Sequence, residues 1–286
     1  MSKTAEQVAS YYDANTWRIL CLGGSGETAA IHRQIWASGV ESAEQSFMYL
    51  NHWVASAVQP SLHLHPPPRL LDLGCGVGGT ATWLAERLGI SIVGITNSSV
   101  QQSHAIERSR RLGLEERCRF LLADFMALPA VGPFSAAYAI ESFVHAPDVP
   151  CFFAQIDHQL YPGGRLLICD DFLAAPAESL GDDARRWLRR FERDWHVNTL
   201  LTSSAVQEMA QDAGFRLLQA ADLSAHLRSF HPVVLGTVAW LTQLPVRPAY
   251  WQNLSGGTAL QVCVSRGWIK YLALVFEKEA ECTPSQ

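Results

Sequence analysis

Apolar and polar positions along the 286-residue chain follow two patterns: short continuous apolar runs, and longer stretches with apolar residues three or four positions apart. The runs predict buried strands, and the spaced stretches predict helices. From Arg69 onward the two alternate, which is typical of an α/β protein with a parallel, doubly wound sheet. The predicted strands are 69–73, 91–96, 118–123, 135–141, 165–170, 215–223 and 270–278, and the predicted helices are 79–88, 99–112, 150–160, 178–197 and 203–213.

Helical segments flank this alternating region. Residues 5–22 and 41–60 have helical spacing, and the prolines of HLHPPPRL at 63–70 mark a boundary because consecutive prolines cannot continue a helix. A mostly helical stretch precedes the last strand. The predicted division is an N-terminal helical cap or lid at 1–68, a core at 69–224, a helical capping insertion at 225–268, and a last strand with a tail at 269–286.

Composition and charge narrow the class of protein. Lys and Arg number 22 against 27 Asp and Glu, so the net charge of -5 lacks the basic footprint of a nucleic-acid binder. The seven cysteines are scattered without a Cys-x-x-Cys pair, which favours reduced thiols. The start has no signal-peptide pattern, and no apolar run reaches the roughly 18 residues of a membrane span. We therefore expect a cytoplasmic protein without stable membrane insertion that binds a small molecule.

A glycine-rich turn follows the first predicted strand, in LLDLGCGVGGT at 70–80. Gly74, Gly76 and Gly79 match the dinucleotide pattern G-x-G-x-x-G, but the end of the second strand, GITNSSVQ, lacks the acid that would hold a ribose. Asp72 instead completes D-x-G-x-G-x-G. That pattern resembles the first motif of methyltransferases, whose loop holds the methionine end of S-adenosylmethionine, and the resemblance favours this cofactor over NAD. The residues predicted to bind it here are Asp72, Gly74, Cys75, Gly76 and Gly78.

Residues 72–145 together resemble methyltransferases that alkylate isoprenoid and fatty-acid double bonds. This group contains the sterol, geranyl diphosphate and teleocidin-type C-methyltransferases and the cyclopropane fatty-acid synthases. The resemblance implies a Rossmann-like, doubly wound sheet of seven strands with an N-terminal helical lid and a helical insertion before the last strand. It also implies S-adenosylmethionine as cofactor, with S-adenosylhomocysteine as the product.

Two further motifs carry the resemblance on the cofactor side. Thr96 at the end of the second strand and Asn97 and Gln101 after it match the family pattern. In that pattern Gln101 takes the place of the usual ribose-binding acid. The segment ADF at 123–125 follows the third strand, where the family places an acid on the adenine amino group and an apolar residue on the adenine face. Asp124 and Phe125 match those positions. The alternatives are an exposed glutamine at a helix start, a turn-capping Asp124 and a core-filling Phe125.

The segment AIESFVHAPD at 139–148 is similar to the E-A-x-x-H-A-P segment of sterol methyltransferases. The resemblance places Ile140 and Glu141 beside the cofactor, with Glu141 near the transferring methyl. Glu141 would stabilise a carbocation or remove its proton, and His145 would share either task. The alternatives are a Glu141 that only positions the ligand through backbone contacts, and a His145 that packs or caps a helix.

The N-terminal segment VASYYDANTWRIL at 8–20 resembles the tyrosine-rich opening of these enzymes, which covers the cofactor. Tyr11 and Tyr12 are predicted to present aromatic faces to the sulfonium or a substrate cation. Helix spacing alone would make them core residues. The residues predicted to contact the substrate are Trp17, Arg18, His32, Phe143 and Asp171.

Phosphate and metal sites are less well supported by the sequence. The nearest histidine cluster, His52, His63 and His65, has no accompanying acid and is interpreted as a solvated loop. Mg²⁺ is expected only if the substrate carries a diphosphate. Arg18, His32 and Arg33 form a candidate anion site near the N-terminus. The arginines of the helix at 178–197 are interpreted as a surface paired with its acids rather than a phosphate clamp; they are Arg185, Arg186, Arg189, Arg190 and Arg193.

The expected function is S-adenosylmethionine-dependent C-methylation of an olefinic carbon in a small lipophilic substrate of the isoprenoid type, a prenyl diphosphate or a terpenoid natural product, through a carbocation. An O- or N-methyltransferase of secondary metabolism would share every cofactor motif and stays open. A cofactor-binding protein without turnover and a dehydrogenase are the remaining alternatives. The aromatic N-terminal arm predicts a homo-oligomer.

Overall fold

The computed structural model describes residues 4–22, 28–242 and 249–280. Its strands are β1 (Arg69–Leu73), β2 (Ser91–Thr96), β3 (Cys118–Leu122), β4 (Phe134–Ile140), β5 (Leu160–Leu173), β6 (Phe215–Asp222) and β7 (Ile269–Lys278). Its α-helices are α1 (Ala5–Leu22), α2 (Ala43–Leu62), α3 (Gly79–Leu88), α4 (Ser99–Arg111), α5 (Val149–Asp157), α6 (Asp182–Asp194), α7 (Ser203–Asp212), α8 (Pro232–Leu241) and α9 (Ala249–Ser265). Each predicted strand is confirmed, with ends that differ by a few residues at most positions.

The strands form one seven-stranded sheet in the order β3-β2-β1-β4-β5-β7-β6. The first five strands in this order run parallel to one another, whereas β7 runs antiparallel to both β5 and β6. The parallel part that the alternation over 69–170 predicts is confirmed for β1 to β5, and the antiparallel β7 makes the complete sheet a mixed one. An apolar run of the same composition forms either arrangement, so the sequence pattern carries no information on the direction of β7.

Helices cover both faces of the sheet. One core contains Leu50 and Val54 of α2 and the buried tyrosines of β4 and β7, and the opposite core contains Phe152 and Phe153 of α5. A smaller cluster joins α6 to α9, with Phe191 packed near Leu260. None of the helices within the described ranges combines the length and apolar character needed to cross a bilayer.

Two predicted elements differ from the structure in extent. Strand β5 runs over fourteen residues, well beyond the predicted 165–170. The helix predicted at 178–197 is instead a short 3₁₀ turn at Ala177–Ser179 followed by α6. Gly181, extended at φ -68° and ψ 168°, separates the two and starts the regular helix. The stretch at 225–268 contains α8 and α9, so its helical character is confirmed, whereas the division into domains stays a prediction.

The order of strands reverses between β1 and β4, because β2 and β3 lie on one side of β1 and β5 lies beyond β4. In open α/β sheets such a reversal leaves a crevice at the carboxyl ends of the strands. The residues that follow β1, β2, β3 and β4 therefore meet at one place.

Candidate functional site

A cavity of about 1130 Å³, counted with its opening to solvent, occupies this crevice. The carboxyl ends of β1 to β4 form its floor, and α1 with the segment 29–32 covers it. Most of the residues predicted for the site line this one cavity; they are Tyr12, His32, Asp72, Gly74, Cys75, Gly76, Thr96, Asn97, Gln101, Asp124, Phe125, Ile140, Glu141 and His145. The sheet thus brings together motifs that are up to 133 residues apart along the chain.

The glycine-rich turn lies tightly under its cover. Gly76 has a left-handed backbone with φ +52°, and an added β-carbon would overlap the side chain of Ile31. A β-carbon at Gly79 would overlap the carbonyl group of Ala29. These glycines are needed for close approach of the covering segment as well as for the turn. Gly78 is not among the residues that line the cavity, and its vacant side-chain position faces the ring of Phe120; its contact with the cofactor stays a prediction.

Asp72 is a buried acid one residue before the end of β1, beside this turn. Tyr138, on neighbouring β4, donates its hydroxyl hydrogen to Asp72 Oδ2 over 2.8 Å. Burial raises the pKa of Asp72 to about 7, and the hydrogen bond from Tyr138 only partly opposes that rise. A buried acid with such a pKa is well placed to pair with a cationic group of a ligand.

Gln101 lies in the first turn of α4 and is only 4% exposed, which excludes the alternative of an exposed glutamine. Ser98 begins the helix by accepting the Gln101 backbone N–H at 3.1 Å. The Thr96 hydroxyl then donates to Gln101 Oε1 at 3.0 Å. This contact orients the amide group, whose two N–H donors suit the hydroxyl oxygens of a ribose.

The segment after β3 combines a turn with a cavity wall. Asp124 Oδ1 accepts the Met126 backbone N–H at 2.8 Å, so Asp124 does cap a turn while it lines the cavity. The Phe125 ring contacts the Phe152 ring edge-on, with centroids 5.8 Å apart, and it lines the cavity as well. Asp124 thus caps a turn and Phe125 packs on the core, and both also face the cavity, so neither structural role excludes a contact with a ligand.

Glu141 follows β4 with a left-handed backbone at φ +51°, which is uncommon for a residue other than glycine. Its Oε1 atom accepts three hydrogen bonds, from the Arg33 backbone N–H at 2.8 Å, from Arg33 Nε at 3.1 Å and from the Tyr271 hydroxyl at 2.8 Å. Burial would raise the pKa of Glu141, but Arg33 and the neighbouring donors outweigh burial and lower it. Glu141 is thus held as a carboxylate at the cavity wall.

His145 and Tyr12 form a partly buried pair at the cavity. His145 Nδ1 lies 3.1 Å from the His196 carbonyl oxygen, which can only accept, so Nδ1 carries the proton. His145 Nε2 therefore accepts the hydrogen of the Tyr12 hydroxyl, 2.8 Å away. Burial lowers the pKa of His145 to about 4, which keeps the imidazole neutral.

Helix α1 presents only one face to the cavity. Ala5, Val8 and Tyr12 line it at spacings of three and four, as one face of a helix requires. Tyr11 points away, and its hydroxyl oxygen accepts a hydrogen bond from Asn253 at 2.7 Å. Trp17 is 68% exposed.

Three further residues predicted to contact ligand lie elsewhere. Arg18 is exposed and donates to the Ala14 carbonyl. Phe143 is fully buried between aromatic rings of the core. Asp171 lies behind Arg33, whose Nη2 is 2.9 Å from Asp171 Oδ2. For Tyr11, Trp17, Arg18, Phe143 and Asp171, the predicted direct contacts with the cavity are therefore not observed.

A second cavity of about 970 Å³, again counted with its opening, lies between α9 and the segment 227–230. Arg33 lies on its wall, and Glu141, one of the two carboxylates that Arg33 binds, lies on the wall of the first cavity. The remaining lining is largely apolar and includes Trp195, Leu227, Phe230, Leu254, Leu260 and Val264.

Metal and phosphate sites are not evident in the part of the chain that the structure describes, where no group of three His, Cys, Asp or Glu residues is placed to bind a metal ion. His52 packs on Trp83, and His65 stacks on Tyr161. On α6, Arg185 pairs with Asp182 at the surface and Arg186 pairs with Asp183. These pairs agree with the interpretation of this helix as a charged surface, which is wrong for Arg190: its guanidinium is largely buried and donates to Ser255 Oγ of α9.

Comparisons with known proteins agree with this architecture. The 24-methylenesterol C-methyltransferase 2 of Oryza sativa subsp. japonica is 30% identical over 194 residues, which cover 67% of this chain and 51% of that protein. An O-methyltransferase of Pyrenophora dematioidea is 31% identical over 233 residues, covering 79% of this chain and 81% of that protein. The chain spans between about half and just under two thirds of the length of the first curated relatives that it matches.

Among solved structures, the [4+2]-cyclase SpnF is 27% identical with a TM-score of 0.74, and the match covers 98% of both chains. The geranyl diphosphate C-methyltransferase of Streptomyces coelicolor A3(2), in complex with Mg²⁺, geranyl diphosphate and S-adenosyl-L-homocysteine, has the same fold. That match has a TM-score of 0.68 at 16% identity, and it covers 96% of this chain and 98% of the other.

A sequence model of the family described as mycolic acid cyclopropane synthetase matches residues 54–231, well over half of the chain. This range contains the glycine-rich turn, the Gln101 motif, the ADF segment and the Glu141 segment. The resemblance that those motifs indicated is thereby confirmed. The chain belongs to the mycolic acid cyclopropane synthetase family.

Proposed function

We propose that this protein is an S-adenosylmethionine-dependent C-methyltransferase that adds a methyl group to an olefinic carbon of a small lipophilic acceptor of the isoprenoid class. One observation carries the proposal: the first cavity combines a carboxylate held ionised, Glu141, with a neutral and weakly basic imidazole, His145. Such a site suits a reaction that develops positive charge on carbon. The sterol and geranyl diphosphate C-methyltransferases among its relatives support the same acceptor class.

The residues of the first cavity fit the cofactor. Asp72 would hold its ammonium group beside the glycine-rich turn, Gln101 its ribose hydroxyls, and Asp124 and Phe125 its adenine ring. The negative charges on these walls are complementary to a sulfonium cation. When bound, S-adenosylmethionine supplies an activated methyl group.

The chain itself contributes positioning and electrostatic stabilisation. The segment 29–32 and α1 cover the cavity and limit the access of water, which strengthens charge interactions inside it. The Glu141 carboxylate and the Tyr12 ring would stabilise a cation that forms on the acceptor. Held ionised by its donors, Glu141 acts in this proposal mainly as an electrostatic group.

Proton removal is assigned to the pair of Tyr12 and His145. The Tyr12 oxygen would take a proton from the cationic acceptor as the Tyr12 hydrogen passes to His145 Nε2, and the C–H bonding pair would form the new double bond. A carbocation is a strong acid, so a base with a pKa of about 4 is sufficient. Deprotonation of a phenol would need a stronger base.

The apolar second cavity would hold the rest of the acceptor, on the far side of Arg33. Among the described residues, two cations lie on its wall: Arg33 already binds two carboxylates, and Arg228 lies over the Trp36 ring. We therefore favour a terpenoid without a diphosphate. Cytoplasmic location, self-association and a role in secondary metabolism stay predictions.

O-methylation is the second candidate, because the Pyrenophora O-methyltransferase is matched over most of both chains. The purified protein should be incubated with methyl-labelled S-adenosylmethionine and matched acceptors: terpenoid alkenes, the same skeletons bearing phenols, and amines. We expect label on carbon in an alkene product identified by NMR. Label only on oxygen or nitrogen would establish the alternative, and S-adenosylhomocysteine absent with every acceptor would favour a protein without methyl-transfer activity.

A further inference from the structure

Arg33 and Tyr271 converge on one atom of the candidate site, Glu141 Oε1. Arg33 approaches it from the covering segment through both its backbone N–H and its side chain, and Tyr271 approaches from β7 through its hydroxyl. The Arg33 guanidinium also lies over the Tyr271 ring, 3.9 Å from its centroid. Among the described residues, no donor contacts the other oxygen, Oε2, and Glu141 lines the cavity.

Asp171 completes this network behind Arg33. It accepts from Arg33 Nη2 at 2.9 Å, and its own Oδ1 is buried without a hydrogen-bond partner among the described residues. Asp171 of β5 and Tyr271 of β7 lie directly opposite each other in the antiparallel pair, so the register of these two strands brings both residues to the network. Glu141 and Asp171 are 19% and 4% exposed at their side chains, and Arg33 is the cation bound to both.

The formal charge of this network is -1, with two carboxylates and one guanidinium. Without Arg33, two buried carboxylates would face each other with little screening, and one would take up a proton. The titratable and charged groups that face Glu141 from the elements around it are Tyr12, His32, Arg33, Cys169, Asp170, Asp171 and Tyr271. Arg33 provides the positive charge in this set, because burial lowers the pKa of His32.

We propose that Arg33 and Tyr271 are positioning residues for methyl transfer: they hold the Glu141 carboxylate by Oε1, so that Oε2 and its negative charge face the reacting carbon of the acceptor. Arg33 also joins this carboxylate to the cofactor side, because Ile31, two residues earlier, packs on Gly76 of the glycine-rich turn. The inference rests on the proposed methyl transfer.

The test compares Arg33→Gln, Arg33→Lys and Tyr271→Phe with two matched controls, Arg18→Gln and Tyr161→Phe. Arg18 is exposed on α1, and Tyr161 stacks on His65. With the best acceptor of the wild type, Arg33→Gln should lower kcat by about 100-fold, on the scale of losing one preorganised donor. Tyr271→Phe should lower it by about 10-fold, the value of one hydrogen bond. Arg33→Lys should recover part of the loss. The affinity for S-adenosylhomocysteine should stay within about two-fold in all of them.

A second measurement needs no turnover. Melting temperatures of Arg33→Gln and wild type should differ more at pH 8.5 than at pH 5.5, because low pH protonates the repelling carboxylates that Arg33 no longer compensates. The positioning inference is overturned by an unchanged kcat, by cofactor affinity that falls in parallel with kcat, or by a melting difference independent of pH. A wild type without any methyl transfer would instead refute the proposed function, and the melting curves would still show whether Arg33 compensates this pair.

Discussion

The Tyr138 hydroxyl donates to Asp72 Oδ2 over 2.8 Å, across the two strands between which the order of the sheet reverses. This hydrogen bond lowers the pKa of Asp72, but burial of the carboxylate raises it by more. The pKa of Asp72 is therefore raised to about 7. Asp72 is therefore poised to change its charge when a cationic ligand binds.

The first prediction is that binding of S-adenosylhomocysteine depends on pH through Asp72. The ammonium group of the ligand favours ionised Asp72, so affinity should fall by about ten-fold for each pH unit below about 7 and level off above it. Calorimetry at pH 5.5 to 8.5 measures this. Adenosine, which lacks the ammonium group, is the matched control and should show no such dependence. Equal affinity of the homocysteine compound at pH 6 and pH 8 would argue against the assigned role.

The same acid should lower the stability of the ligand-free protein at high pH. Its pKa is raised on folding from 3.8 to about 7, so the folded state binds the extra proton and stability declines as pH rises between these values. Asp72→Asn should therefore melt higher than wild type at pH 8, by about several degrees, while it loses cofactor affinity. A lower melting temperature at pH 8 would contradict this sign.

The second prediction compares two aromatic residues of α1: Tyr12, which faces the cavity, and Trp17, which is exposed. Tyr12→Phe removes the hydrogen that is bonded to His145 and should lower kcat by about 100-fold, within the range of general acid–base catalysis. Trp17→Ala, on the exposed face, should leave kcat and KM unchanged. At saturating cofactor, kcat should not fall between pH 8 and pH 6 on account of His145, which is neutral throughout that range. Equal effects of the two substitutions would refute this assignment.

The third prediction concerns Gly76 and uses Gly113 as its control. Both have left-handed backbones, with φ +52° and +68°, so alanine should cost each site about 1 kcal/mol of stability through backbone strain. Only at Gly76 would the methyl group also overlap Ile31, whereas the space at Gly113 is open. Gly76→Ala should weaken binding of S-adenosylhomocysteine at least about ten-fold, and Ile31→Ala in the same chain should restore part of it. An equal loss of binding at Gly113 would show that backbone strain alone is responsible.

The fourth prediction compares two adjacent glutamines of α4. Gln101 faces the cavity, whereas Gln102 Nε2 donates to the Phe120 carbonyl outside it. Gln101→Ala should weaken binding of S-adenosylhomocysteine by about 5- to 100-fold, the value of one or two hydrogen bonds, and Gln102→Ala should change it by less than two-fold. Binding of free methionine should be unaffected by either substitution. If Gln101→Ala binds as tightly as wild type, another residue holds the ribose.

The local parts of the site were predictable because each lies within a few residues along the chain. The glycine-rich turn with Asp72, the Gln101 motif and the ADF segment each combine a strand end with a turn, and alternating strands and helices place such ends at one edge of a sheet. Residues 69–140 were assigned to the correct elements for the same reason.

Helical residues were predicted less well. The resemblance of the N-terminal segment predicted that α1 covers the site, but which of its aromatic residues faces inward depends on how the helix is rotated against the sheet. Tyr12 faces the cavity, whereas Tyr11 and Trp17 do not. Phe143 was misplaced likewise, because a short 3₁₀ turn after Glu141 directs its ring into the core.

The class of sheet, the strand-end residues that line the cavity and the family were all predictable from the sequence, since these depend on short-range periodicity and on contiguous motifs. The tertiary structure set the direction of β7, and with it the pairing of Tyr271 and Asp171, which lie 100 residues apart along the chain. It also decided that Arg33 binds the Glu141 carboxylate instead of a ligand anion. An ion pair between distant segments depends on how the chain folds back on itself, and no local pattern of apolar and polar residues encodes that distance.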